Sequence, residues 1–132
     1  MQSVVTKNPD SYSTKNVCGR VKSIKTVDSY GNETYCMGRW EILVSEYLTK
    51  YNIKWVNKIK EVFQYIWNGK IHRYFPDFFL PERDCYVEVK GYERDRDIAK
   101  WSQFPKNLII LKKLEIDKIK TGLSVETLDK LI

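Results

Sequence analysis

Histidine is almost missing from this chain: His72 is the only one in 132 residues. Cysteine is nearly as sparse, with Cys18, Cys36 and Cys85 forming an odd set that contains no Cys-x-x-Cys pair. A structural zinc site inside one chain would therefore need Asp or Glu to complete it. A disulfide scaffold is not expected, and the cysteines read as small buried hydrophobes. No apolar run approaches the length of a bilayer span. The opening Met1-Gln2-Ser3-Val4-Val5 has neither the basic start nor the long apolar stretch of a secretory leader. There is no internal repeat and no low-complexity segment. These absences lead to the expectation of a soluble, non-secreted, intracellular protein with no membrane partner.

What is present is an ordinary globular balance, 42% hydrophobic and 30% charged, in a length that suits one core. The formal net charge is +6 and the sequence pI about 9.2, a balance that suits a polyanionic partner. Arg20, Lys22, Lys25, Lys58 and Lys60 give the N-terminal half its basic character.

Hydropathy patterning divides the chain. Residues 1–16 are polar and read as an irregular arm. Partial alternation on either side of Asp28-Ser29-Tyr30-Gly31-Asn32 predicts a β-hairpin over about 20–37. Trp40, Leu43, Val44, Tyr47 and Leu48 repeat at helical spacing, so 39–51 is predicted as a helix. Glu41 falls one residue, about 100°, from that stripe, where a side chain is partly buried. Ile53–Val56 reads as extended, and Glu61–Trp67 as a strand. Asn68-Gly69 is a hairpin turn, with the partner strand predicted to run from Lys70 through to Leu80. After the turn at 81–84 comes Tyr86–Lys90. Glu93–Phe104 is predicted as a helix with Ile98, Trp101 and Phe104 inward. Asn107–Leu111 reads as a buried strand. Leu114–Lys120 fits neither pattern cleanly, and a last helix is expected from Ser124 to Leu131.

The most informative stretch is Tyr74-Phe75-Pro76-Asp77-Phe78-Phe79-Leu80-Pro81, followed by Tyr86-Val87-Glu88-Val89-Lys90-Gly91-Tyr92. Side chains of a strand alternate, so Glu88 and Lys90 face one way and Val87 and Val89 the other. Charges inside an apolar strand are costly unless something uses them. Two carboxylates meeting at one point suit a hard divalent cation, and a lysine beside it can steady the charge of a phosphate under attack.

This run, Pro76-Asp77, ten residues, then Glu88-Val89-Lys90, resembles the PD-(D/E)xK nuclease superfamily. It looks most like the small phage and large-DNA-virus branch: junction-resolving endonucleases, very-short-patch-repair-like nucleases and head-completion-type nucleases. The likeness spans about 38–119 and leaves out the first 37 residues. It implies an α/β fold with a restriction-endonuclease-like mixed central sheet flanked by helices, carrying an N-terminal β-hairpin extension. In domain terms, 1–37 would be arm and hairpin, and 38–132 the nuclease core. It further implies a Mg²⁺-dependent DNA endonuclease, with Mn²⁺ able to substitute. Asp77 and Glu88 would be the metal ligands, Glu41 on the first core helix would complete the acidic cluster, and Lys90 would be the active-site lysine. The general base stays open between a neutral lysine and a metal-bound hydroxide, and one-metal and two-metal schemes stay open as well. Arg73, Lys100, Arg20, Lys22, Lys58 and Lys60 are candidate contacts to DNA. A homodimer is expected from the need to cut two strands, with the hairpin as a dimerisation or DNA-gripping element. The expected location is cytoplasmic or nucleoid-associated, or else in the virion.

Two readings compete. One is a non-catalytic DNA-binding module that keeps the fold. The other is a phage or viral assembly factor that processes packaged DNA ends. RNA cleavage is a weaker alternative.

Overall fold

The computed structural model describes residues 22–122. The N-terminal arm, Arg20, Cys18 and the expected last helix lie outside the described residues. The described chain is a mixed α/β arrangement: β1 (Ser23–Val27), β2 (Glu33–Met37), α1 (Arg39–Lys50), β3 (Phe63–Trp67), β4 (Lys70–Tyr74), β5 (Phe78–Leu80), β6 (Cys85–Val89), α2 (Asp95–Ser102), β7 (Leu108–Leu111) and α3 (Lys113–Lys120). No helix among the described residues is long and apolar enough to cross a membrane.

Three small sheets form. β1 and β2 pair antiparallel through the Asp28 turn, where the Asp28 carboxylate accepts the N–H groups of Tyr30 and Asn32. β3 and β4 pair antiparallel across Asn68-Gly69, both at positive φ as a tight two-residue hairpin requires. The third sheet is mixed, in the order β5-β6-β7: β6 is antiparallel to β5 and parallel to β7. The parallel pairing follows from α2, which carries the chain back across to the same end of the sheet.

Lys70 to Leu80 is not one strand. β4 ends at Tyr74, and the chain leaves the β3–β4 sheet at Phe75-Pro76-Asp77 before joining β6 as β5. Pro76 has no N–H to give to a ladder, so this is where pairing changes hands. The same break lifts Asp77 out of regular pairing.

The mixed sheet separates two cores. On one face Phe78, Leu80, Val87, Ile109 and Leu111 meet Val44 and Leu48 of α1 and Ile116 and Ile119 of α3; Cys36 of β2 joins this cluster. On the other face Tyr86 meets Phe63, Tyr65 and Tyr74 of the β3–β4 hairpin, with Trp101 and Phe104 packed alongside. β6 is thus covered on both sides, and Tyr86, Val87 and Glu88 are all buried. α3 resolves the ambiguous 114–120 stretch as a helix, with Ile116 and Ile119 as its buried residues.

One expectation about the inward face of α2 needs correction. Ile98 is 49% exposed, not inward. The inward stripe of α2 is Asp97, Lys100 and Trp101, continued by Phe104. The chain bends at Gly91, just past β6. An added Cβ there would stand 3.4 Å from the Trp40 ring, an ordinary contact, so the start of α1 lies against the end of β6. Both free cysteines of the described chain, Cys36 and Cys85, are buried. Burial first, and the Glu41 charge next, push the Cys36 thiol up to about 12, so it is a packing group rather than a nucleophile.

Candidate metal and phosphate site

The register of β5 and β6 brings the two motif carboxylates together. Phe78 pairs with Val87, so the next rung, continued past the end of β5, sets Asp77 opposite Glu88. The N–H of Val89 donates a 2.7 Å hydrogen bond to Oδ2 of Asp77, which fixes the Asp77 side chain against β6.

Glu88 is only 6% exposed. Burial, then the Asp77 charge, push its carboxyl up to about 8, against the opposing pull of Lys100 and Lys90. Asp77 is raised well above the usual carboxylate range by burial and by the Glu41 charge, with the Val89 N–H and Lys90 opposing. Each carboxyl therefore resists ionisation largely because the site is dry and already acidic. The nearby lysine charges offset this only in part, since both carboxyls stay raised.

Glu41 sits in the first turn of α1 and closes the third side. Its Oε1 accepts the N–H of Met37 at 2.9 Å, reaching back over a Gly38 N-cap that has no side chain to do so. The same carboxylate acts electrostatically on Asp77. Glu41 thus has a helix-start role and a place in the acidic cluster together.

Lys90 lies at the end of β6, where its N–H continues the ladder to the Leu111 carbonyl at 3.0 Å. Its ammonium stands 3.3 Å from Oδ1 of Asp97, and that of Lys100 stands 3.4 Å from the same oxygen. Lys100 also lies over the Tyr74 ring, 4.7 Å from its centroid. Burial lowers the Lys90 pKa and the Asp97 charge resists that change. Burial alone would raise the Asp97 carboxyl, but the Arg94 hydrogen bond and the two lysine charges outweigh it and hold it below the usual range. The Tyr74 hydroxyl is buried beside Glu88, and burial first, then the Glu88 charge, push it well above its ordinary value.

The remaining predicted residues stand apart from this cluster in kind. Arg73 is exposed on β4 opposite Gln64, and Lys22, Lys58 and Lys60 are exposed in or beside loops. His72 stacks on Tyr65 and meets Arg96 at 3.2 Å, a packing role.

Sequence reasoning did not single out Asp97, which closes the charged run Glu93-Arg94-Asp95-Arg96-Asp97 at the start of the predicted helix. The signal was available: Asp97 lies four residues before Trp101 and seven before Phe104, on one helical stripe.

Among the described residues no group of three or more His, Cys, Asp or Glu side chains is already arranged to hold a metal ion. Mg²⁺ asks for less, since it keeps several waters and uses one or two carboxylates plus substrate phosphate. The donor set fits that demand: hard oxygens only, with Glu88 buried, Asp77 and Glu41 half-buried, and lysines alongside. Compared with protein-family models, curated proteins and solved structures, the chain matches none.

Proposed function

We propose that this chain is a metal-dependent deoxyribonuclease of the PD-(D/E)xK kind, hydrolysing phosphodiester bonds at the Asp77–Glu88–Lys90 site. The observation that carries the reading is the rung that sets Asp77 against Glu88: burial raises both carboxyls, the Asp77 charge raises Glu88 further, and the Glu41 charge raises Asp77. A protein gains nothing in stability from such a pair, and perturbed carboxyls of this kind cluster at functional sites. The order α1, β5, β6, α2, β7, with β6 parallel to β7, supports the restriction-endonuclease-like arrangement for the central sheet.

Asp77 and Glu88 would hold Mg²⁺, with Glu41 completing the acidic wall. The chemistry supplied there by Mg²⁺ is neutralisation of phosphate charge and acidification of water. A water oxygen bonds to phosphorus, one ester P–O bond breaks, and the departing sugar oxygen takes up a proton. Lys90, at the open end of β6, supplies a fixed positive charge where the phosphate becomes more anionic, the kind of contribution that weighs most in such reactions. Because both carboxyls are raised above the usual carboxylate range, a cation held there would displace protons from them. The exposed Arg73, Lys22, Lys58 and Lys60, together with Arg20, would touch DNA backbone and carry no sequence readout.

The test is cleavage of supercoiled, linear and branched DNA with Mg²⁺ and with a chelator. Mg²⁺-dependent cutting that is lost in Asp77→Ala and Glu88→Ala supports the reading. Tight, metal-independent binding with no cutting of any form would replace it with a binding module. Cutting of RNA alone would change the substrate class.

A further inference from the structure

Asp97 has a carboxylate whose two oxygens do different work. Its side chain is 0% exposed. Oδ2 accepts the Arg94 N–H at 3.0 Å and faces Arg94 Nε at 3.2 Å, which closes the first turn of α2. Oδ1 makes no directed hydrogen bond. It faces two ammonium groups instead, Lys90 at 3.3 Å and Lys100 at 3.4 Å. Those lysine side chains are themselves only 22% and 14% exposed. A helix cap needs one acceptor oxygen. It does not need the second oxygen buried between two lysines from different elements.

Two like charges drawn to one point repel each other, and they stay together only while the anion between them is in place. Both lysines also act on Glu88. Their common location is therefore the edge of the acidic pair, where an anionic phosphate would lie.

Resting on the nuclease reading above, we infer that Asp97 is a positioning residue: it holds Lys90 and Lys100 as a paired cationic clamp for the scissile phosphate. Asp97 touches neither phosphate nor metal and acts through the two lysines. Lys100 is thereby assigned to the reacting phosphate rather than to general DNA backbone contact. A lysine is a flexible point charge, so a buried tether supplies the fixed placement that charge stabilisation requires.

Asp97→Asn separates the two jobs, since an amide oxygen still caps the helix while the charge that gathers the lysines is gone. The experiment is a single-turnover cleavage cycle at saturating DNA, comparing the parent, Asp97→Asn, Lys90→Met and the double variant. It is paired with ¹H–¹⁵N spectra of the lysine ammonium groups in the DNA-free parent. The inference predicts at least a tenfold fall in rate for Asp97→Asn. It also predicts less than a threefold further fall when that change is added to Lys90→Met, because both remove the same contribution. Losses that multiply would overturn it. In the parent spectra, ammonium signals of Lys90 and Lys100, assigned by Lys90→Arg and Lys100→Arg, are expected to exchange slowly with water. Their absence would overturn the tether even if Asp97→Asn failed to fold. A parent protein that shows the slow signals but cuts no DNA would instead overturn the nuclease reading, and the positioning role with it.

Discussion

The backbone N–H of Val89 points at Oδ2 of Asp77, 2.7 Å away. This hydrogen bond joins the two halves of the motif directly: a residue inside the Glu-x-Lys strand holds the Asp that precedes β5. It makes Asp77 part of the fold as well as part of the site, and the two roles are separable by substitution.

Asp77→Asn keeps an acceptor for Val89, whereas Asp77→Ala leaves that N–H without a partner. The alanine variant is expected to be less stable than the asparagine variant by about 1–3 kcal/mol, the cost of an orphaned buried donor. Both are expected to lose about 10²-fold or more in cleavage, the scale for removing a key electrostatic element. Denaturant unfolding and a plasmid-cutting assay on the same preparations check the two halves together.

The raised carboxyls set the sign of the pH dependence. The Glu88 carboxyl is pushed up to about 8 from its ordinary 4.5, so the folded state holds its proton more tightly than the unfolded state does. Its stabilising contribution is complete below about pH 4.5 and is lost as pH rises through about 8. Asp77 shifts in the same direction. The metal-free protein should therefore melt at lower temperature at pH 8 than at pH 5. A divalent cation at about 100 times its Kd adds on the order of 2.7 kcal/mol, and at one fixed cation concentration the gain should be larger at pH 8, where fewer protons must leave. Thermal melts at the two pH values, with and without Mg²⁺, read this directly.

Glu88→Gln should move stability and activity in opposite directions. It removes the charge that burial penalises, so the metal-free protein at pH 8 should gain on the order of 1–2 kcal/mol. The same change removes a proposed metal ligand, so cleavage should fall by about 10²-fold or more. A variant that lost stability instead would show that the Glu88 charge is compensated within the fold.

Neutralising Lys58, Lys60 or Arg73 one at a time should weaken DNA binding about equally for all sequences. Each should reduce the slope of log affinity against log salt by about 1. The cleavage rate at saturating DNA should not change, because these exposed side chains are backbone contacts. Binding isotherms across a salt series, with Ca²⁺ in place of Mg²⁺, check this.

Much of the site could be read from local pattern. The Asn68-Gly69 turn, the helical stripe from Trp40 to Leu48 and the alternation through Val87-Glu88-Val89 are local signals, and local signals survive in sequence. The break at Phe75–Asp77 was less visible, because the aromatics on either side of Pro76 look like one strand. Only pairing shows that they serve two different sheets. Asp97 was hidden for a related reason. In a run of five charged residues each one reads as solvated, and its burial depends on Lys90, which is distant in sequence and adjacent only after β6 and α2 pack.

The central claim is that Asp77 and Glu88 share one divalent ion. Crystals of the protein soaked in Mn²⁺, with anomalous scattering recorded near the manganese edge, test it most directly. The account predicts an anomalous peak between the Asp77 and Glu88 carboxylates, within ligand distance of both, and no such peak in Asp77→Ala. A peak elsewhere, with these two carboxyls turned away from it, or a site left unchanged by saturating Mn²⁺, would contradict it.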